Sequence, residues 1–385
     1  MAYRAGRSGD RAALVLCERA WSHLARLATC LFAALLLTGC ASRQSREVVA
    51  GDHGSIVVEA LQSGSYSEGN SAAWLQFLIK ASYNGYAQDV VTAHYVLPKA
   101  EVLAGRNRLD HCDLCVLWIG HSTFLIRIGG LTILTDPVFS QTASPLEISG
   151  PRRYVPPALE IDELPRVDVI LISHNHYDHL DDASLAKLGT RFPEAALLLP
   201  RGNEDHGRAA GFHGTLGIDV GESLTVAGVR LLALPAYHDT SRFGLDAYQT
   251  RALGYSLRAA RGGSIYFAGD TGYGPVFKQI RRAYGAHDVA LVPIGAYEPH
   301  KETRAVHVSP EEALQVATDI GAKLAIGMHW GTFPLSGEPV FEPARRFMRA
   351  RRPGGVRPLA LRIGGSMNLD AYRSGDRVSV AADPG

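Results

Sequence analysis

Charge of one sign is missing from this chain. Its 385 residues carry 39 Lys and Arg against 38 Asp and Glu, a formal net charge of +1. A balance that close offers no basic field to a nucleic-acid backbone, so no nucleic acid is expected as a partner. The apolar run Leu27–Leu37 falls well short of the roughly 20 residues that a bilayer-spanning helix needs. Cysteine is scarce too: there are five, and only Cys112 and Cys115 fall in the part expected to fold. Two thiols do not make a closed structural zinc site, which takes four ligands. Their C-x-x-C spacing leaves two readings open, a disulfide outside the cytoplasm or a pair of half-buried thiols at a strand start. There is no G-x-S-x-G elbow for a serine nucleophile. Nor is there an internal repeat or a low-complexity tract.

The first forty residues read as a targeting segment. Arg4, Arg7, Arg11, Arg19 and Arg26 form a basic start, the apolar run follows, and it ends in Leu37-Thr38-Gly39-Cys40. That ending resembles a bacterial lipobox, in which the signal (1–40) is cut before the cysteine and the Cys40 thiol carries lipid. The bland alternative is an ordinary secretory signal with a chance cysteine. The lipobox reading places the protein in the bacterial cell envelope, anchored to a membrane and facing the periplasm or the outside. Residues 41–69, polar and rich in Gly and Ser, read as a flexible tether. Residues 70–110 read as an N-terminal extension packed on a main domain of 111–385.

In that main domain, strand signals come quickly. Val116–Ile119, Phe124–Ile128 and Leu131–Leu134 are short β-type runs, the last two separated by Gly129-Gly130. Val167–Ile172 is nearly all apolar, as expected of a strand buried on both faces. Val229–Leu234, Ile265–Ala268, Val289–Ile294 and Leu324–Ile326 are further strands. A helix is expected after Asp181-Asp182, and another after Ser309-Pro310-Glu311-Glu312, which has a capping box and proline at its first position. Strands mixed with helices over this length predict an α+β domain of two sheets covered by helices.

The chemistry concentrates in His174-Asn175-His176-Tyr177-Asp178-His179, directly after the buried strand. This H-x-H-x-D-H spacing puts three imidazoles and a carboxylate in one tight loop, a donor set that suits zinc. Chance clustering accounts poorly for it. Further ligands must come from later strand ends, where His238, Asp270 and His329 stand. Each of these taken alone could equally be structural; their order after the motif favours function.

In this ordered set the chain resembles the metallo-β-lactamase superfamily, whose fold is a four-layer αββα sandwich. The resemblance implies one zinc held by His174, His176 and His238, a second held by Asp178, His179 and His329, and Asp270 bridging the two. Iron or manganese suits the same ligands. A narrower resemblance, to the N-acylphosphatidylethanolamine-hydrolysing phospholipase D family, rests on Ile119-Gly120-His121-Ser122-Thr123, Leu134-Thr135-Asp136-Pro137-Val138-Phe139-Ser140, the motif with its flanks, Phe267–Tyr273, Pro293–Pro299, His307–Ala313 and His329-Trp330-Gly331-Thr332-Phe333. Between Tyr237 and Tyr255 the chain departs from that family's Trp-rich pattern.

The resemblance implies a dinuclear zinc hydrolase of phospholipase D type. Its substrates would be N-acylated or related phospholipids, or another small ester, attacked by a hydroxide shared between the metals. Asp270 and Asp178 would act at the reacting centre, and His307 would donate to a phosphate oxygen or to the leaving group. His307 could instead be a surface histidine near a helix start. His121 and Tyr297 are candidates for contacting substrate, and Tyr297 could equally be core. Asp136 could orient a ligand imidazole from behind, or serve as a turn aspartate before Pro137. The competing functions are hydrolysis of a lactone, thioester or β-lactam at the same metals, and an anchored accessory protein whose metal is only structural.

Overall fold

The fold is taken from a computed structural model that describes residues 95–145, 150–242, 249–351 and 353–374. The expected signal with Cys40, the tether, and residues 70–94 of the expected extension lie outside the described residues. All described residues belong to one compact unit.

The chain enters with helix α1 (Lys99–Leu109) and a three-strand meander, β1 (Leu114–Gly120), β2 (Thr123–Ile128) and β3 (Leu131–Thr135). Gly129 and Gly130 make the β2–β3 turn with φ of 54° and 85°. Both central residues of such a two-residue hairpin need positive φ, which is why two glycines stand there. Strand β4 (Val169–Leu171) is shorter than the apolar run that announces it. The Asp168 side chain takes the Thr132 N–H at 2.9 Å and closes the strand's start. Then come α2 (Asp182–Arg191), β5 (Ala196–Pro200), α3 (Glu204–Ala210), β6 (Gly214–Ile218), β7 (Ser223–Val226), β8 (Val229–Pro235), β9 (Leu253–Ala259) and β10 (Ser264–Phe267). The rest is α4 (Val276–Tyr284), β11 (Val289–Pro293), α5 (His300–Thr303), α6 (Pro310–Ile320), β12 (Leu324–Met328), α7 (Glu342–Arg349), β13 (Arg357–Ala360), β14 (Ser366–Asn368) and α8 (Leu369–Ser374).

Two seven-stranded mixed sheets result, in the orders β14-β1-β2-β3-β4-β5-β6 and β13-β12-β11-β10-β9-β8-β7. Every residue of β1, β4, β11 and β12 is buried, as strands covered on both faces must be. Helix α3 lies against β5 and β6, α6 against β11 and β12, and α7 against β13, so helices flank both sheets. This is the layered α+β fold that the resemblance implied. Helix α1 buries Val102 and Leu109 beside β1 and β14.

Helix α6 starts as its sequence predicts. Ser309 Oγ accepts from the Glu312 N–H, and Glu312 Oε2 accepts from the Ser309 N–H at 2.8 Å. That fixed start matters because His307 stands two residues before it. Of the two readings for Cys112 and Cys115, the structure has the disulfide.

Candidate metal centre

The potential ligands gather where strands of both sheets end. The H-x-H-x-D-H loop leaves β4 and is tied down from the other sheet: the Leu253 N–H donates to Ser173 O at 2.8 Å, and the Tyr255 hydroxyl donates to Ile172 O at 2.8 Å. Arg242 pins the loop from outside. Its Nη1 donates to Asn175 O (2.9 Å) and Leu180 O (2.7 Å), its Nη2 to Asp182 Oδ2 (2.7 Å), and its guanidinium lies 4.1 Å from the Tyr177 ring centroid. The strand ends of β8, β10 and β12 bring His238, Asp270 and His329 to the same place.

His174, His176 and His238 form one group whose ligand atoms lie within 4.8 Å of one another. His174 Nε2 is 3.0 Å from His176 Nδ1, which is 3.2 Å from His238 Nε2. The outer hydrogen bonds fix which nitrogens can bind metal. Ser173 Oγ gives its hydrogen to Asp136 Oδ2 (2.6 Å), so it must accept from His174 Nδ1–H (2.9 Å), leaving the lone pair on His174 Nε2. His238 Nδ1–H donates to Val306 O at 2.8 Å, which frees His238 Nε2 in the same way.

Asp178, His179 and His329 form the second group, with His121 among them. Asp178 Oδ2 is 3.3 Å from His179 Nε2, 3.3 Å from His329 Nε2 and 2.9 Å from His121 Nε2. His179 Nδ1 lies 2.7 Å from Asp136 Oδ2, so Asp136 stands behind this imidazole and, through Ser173, behind His174 as well. Asp270 Oδ2 reaches both groups, at 3.0 Å from His329 Nε2, 3.2 Å from His179 Nε2 and 3.9 Å from His238 Nε2.

The residues fit a pair of metal ions. Asp270 Oδ1 and His179 Nε2 are buried with no hydrogen-bond partner, a costly arrangement that a cation relieves. Nitrogens with inward lone pairs facing one another at about 3 Å gain nothing as hydrogen bonds, and they converge as ligands do. Backbone strain collects here too: His121, Asp136 and His329 take φ of 52°, 32° and 63°.

Electrostatics support the same use. Burial raises the Asp270 carboxyl, but His329 and His179 outweigh it and hold the group well below the usual carboxylate range. Burial likewise raises Asp178, and His179 with the hydrogen bonds around it holds it far down. With no metal bound, burial lowers His329 but Asp270 and Asp178 carry it up to about 9; His179 is raised well above its ordinary value against burial by Asp270 and Asp178. Both rings are thereby pushed toward the protonated form, which competes with a metal for the same nitrogens. Metal uptake at pH 7 should release protons, and affinity should fall as pH falls. Calorimetric titration in two buffers of different ionisation heat checks this; identical heats in both would contradict it.

His307 sits at the rim. Its side chain keeps 17% of its surface exposed, and its Nδ1 is 3.9 Å from Asp270 Oδ2. Burial pushes its pKa down to about 3. His121 is buried with its Nε2 edge turned to Asp178. Of the two readings for Tyr297, the structure has the core. It is fully buried, its hydroxyl donates to Glu342 Oε1 at 2.9 Å, and Arg346 covers its ring at 4.8 Å. It is core under α7, where a large aromatic gains most from burial with its hydroxyl satisfied. Ser173, Asp239 and Arg242 belong to the site's surroundings, and sequence reasoning gave none of them a role. Asp239 Oδ2 lies 3.8 Å from His176 Nε2.

Comparison with known proteins bears on this geometry. The β-lactamase superfamily domain matches residues 132–330, more than half of the chain. The chain belongs to the metallo-β-lactamase superfamily. Within that superfamily it is 38% identical over 252 residues to an uncharacterized protein of Mycobacterium tuberculosis, covering 64% of this chain and 66% of that one. It is 35% identical over 269 residues to N-acyl-phosphatidylethanolamine-hydrolyzing phospholipase D 1 of Caenorhabditis elegans, covering 67% of this chain and 75% of the relative. A possible metal-dependent hydrolase from Veillonella parvula matches the fold with a TM-score of 0.54 at 18% identity, over 67% of this chain and 100% of that one. The chain spans just under two thirds of the length of that mycobacterial relative, and its His and Asp groups form a candidate metal site of the superfamily.

Proposed function

We propose that the protein is a dinuclear zinc phosphodiesterase that cleaves N-acylated or related phospholipids in the manner of a phospholipase D. The observation that carries this reading is Asp270, one carboxylate reaching both ligand groups, with His307 beside it at the rim. The nematode relative, named for this activity, supports the substrate class.

Two divalent ions bound there would polarise a phosphoryl oxygen and make water nucleophilic at neutral pH. His174 Nε2, His176 Nδ1 and His238 Nε2 would hold one, Asp178, His179 and His329 the other. Asp270, kept ionised, would offset the positive charge of both ions and orient the attacking water. Asp136 and Ser173 hold the His179 and His174 rings in the right tautomers. A neutral His307 has one N–H to offer the charge that grows on a phosphate oxygen. Incubating metal-loaded protein with a phospholipid panel should yield phosphatidate and the free headgroup alcohol, with the N-acylated substrate turned over fastest. Release of fatty acid or diacylglycerol, or turnover of lactones and thioesters only, would overturn the reading.

A further inference from the structure

His121 stands in the β1–β2 turn, on the first sheet, 57 residues before Asp178. Its backbone φ of 52° is left-handed, a conformation uncommon for any residue but glycine. Three bonds hold it there. Its N–H donates to Thr332 Oγ1 at 2.8 Å, and its carbonyl accepts from the Trp118 indole at 2.8 Å and from the His329 N–H at 3.0 Å. The turn is thereby locked to the loop after β12, on the second sheet. The ring is packed 4.1 Å from the His329 ring and edge-on to Phe333 at 5.2 Å, so it has little freedom to rotate.

The ring's single polar contact within hydrogen-bond distance is Nε2 to Asp178 Oδ2, at 2.9 Å. An ionised carboxylate only accepts, so the hydrogen sits on Nε2. Nδ1 is left buried without a partner. A left-handed backbone and a buried ring nitrogen without a partner accompany one N–H aimed at one carboxylate. That carboxylate oxygen also faces His179 and His329 at 3.3 Å. Without the bond, Asp178 would be free to turn about its side-chain torsions.

We propose that His121 is a positioning residue that clamps Asp178 from the β1–β2 turn and so sets metal affinity at the Asp178–His179–His329 half of the site. The inference rests on the two-ion reading above. The His174–His176–His238 half is reached by none of these bonds and keeps its metal when the clamp is broken.

Two substitutions separate the clamp from a backbone role. Gln in H121Q carries its amide nitrogen where Nε2 was and can still reach Asp178. Asn in H121N has a shorter reach and tolerates left-handed φ better. Chelator competition with zinc, on full-length protein whose folding is checked by thermal unfolding, reads the affinity of each equivalent. H121N should lose about 10- to 100-fold in affinity for one of the two ions, the cost typical of removing an outer hydrogen bond to a metal ligand. H121Q should stay within several-fold of the parent, and the other ion should be unaffected in both. A backbone role predicts the reverse order, Asn better than Gln. H121N holding both ions as tightly as H121Q would overturn the clamp while leaving the two-ion site intact. A parent protein that binds fewer than two ions would refute the two-ion site and the clamp together.

Discussion

Asp270→Ala should abolish turnover and unload metal from both halves of the site. Every other ligand candidate belongs to one half, whereas Asp270 Oδ2 faces His179 and His329 on one side and His238 on the other. Without it, the buried imidazoles lose the negative charge that offsets two cations, and repulsion between the ions is no longer screened. Metal chemistry supplies several kcal/mol of barrier lowering, so the loss in kcat should be on the order of a thousandfold or more. Elemental analysis and kinetics on one preparation check this. Asp270→Ala that keeps two ions and measurable turnover would show that the carboxylate neither bridges nor orients.

His307→Ala should separate catalysis from metal binding. Its Nδ1 sits 3.9 Å from Asp270, yet its ring centroid stands 4.9 Å from that of His238 and 5.7 Å from that of His329, at the edge of the cluster. The variant should retain both ions and lose about a hundred- to a thousandfold in kcat, the usual cost of removing one donor aimed at transition-state charge. KM should change little if the bond forms mainly in the transition state. Full turnover on an N-acylated phospholipid by a metal-replete His307→Ala protein would remove His307 from the reaction and leave the metal site standing.

Much of this was legible in the chain because the chemistry is local. H-x-H-x-D-H is a single loop, and His238, Asp270 and His329 each follow an apolar strand that announces itself. Interior strands β5 and β9 escaped the sequence reading, but eight others were equally plain, since burial on both faces leaves continuous apolar runs. Edge strands were not: β7 alternates between half-buried and exposed residues over four positions, and β14 has three residues. Neither is long enough to show a period. The outer ring of the site was hidden for a different reason. Ser173, Asp239 and Arg242 are residue types common in any loop, and only the folded chain brings Arg242 across to the carbonyls of Asn175 and Leu180. His121 could be singled out as a histidine, but its bond to Asp178 joins two turns that only the register of the sheets sets side by side. Tyr297, a motif aromatic open to two readings, has its place in the core.

The most direct test of the account is the metal content of the purified full chain, measured by elemental analysis before and after a strong chelator, with hydrolysis followed in parallel. The seven-residue arrangement predicts close to two zinc-like ions per chain, loss of hydrolysis as they are stripped, and recovery when zinc is returned. A stoichiometry near zero with hydrolysis untouched by chelators would contradict it.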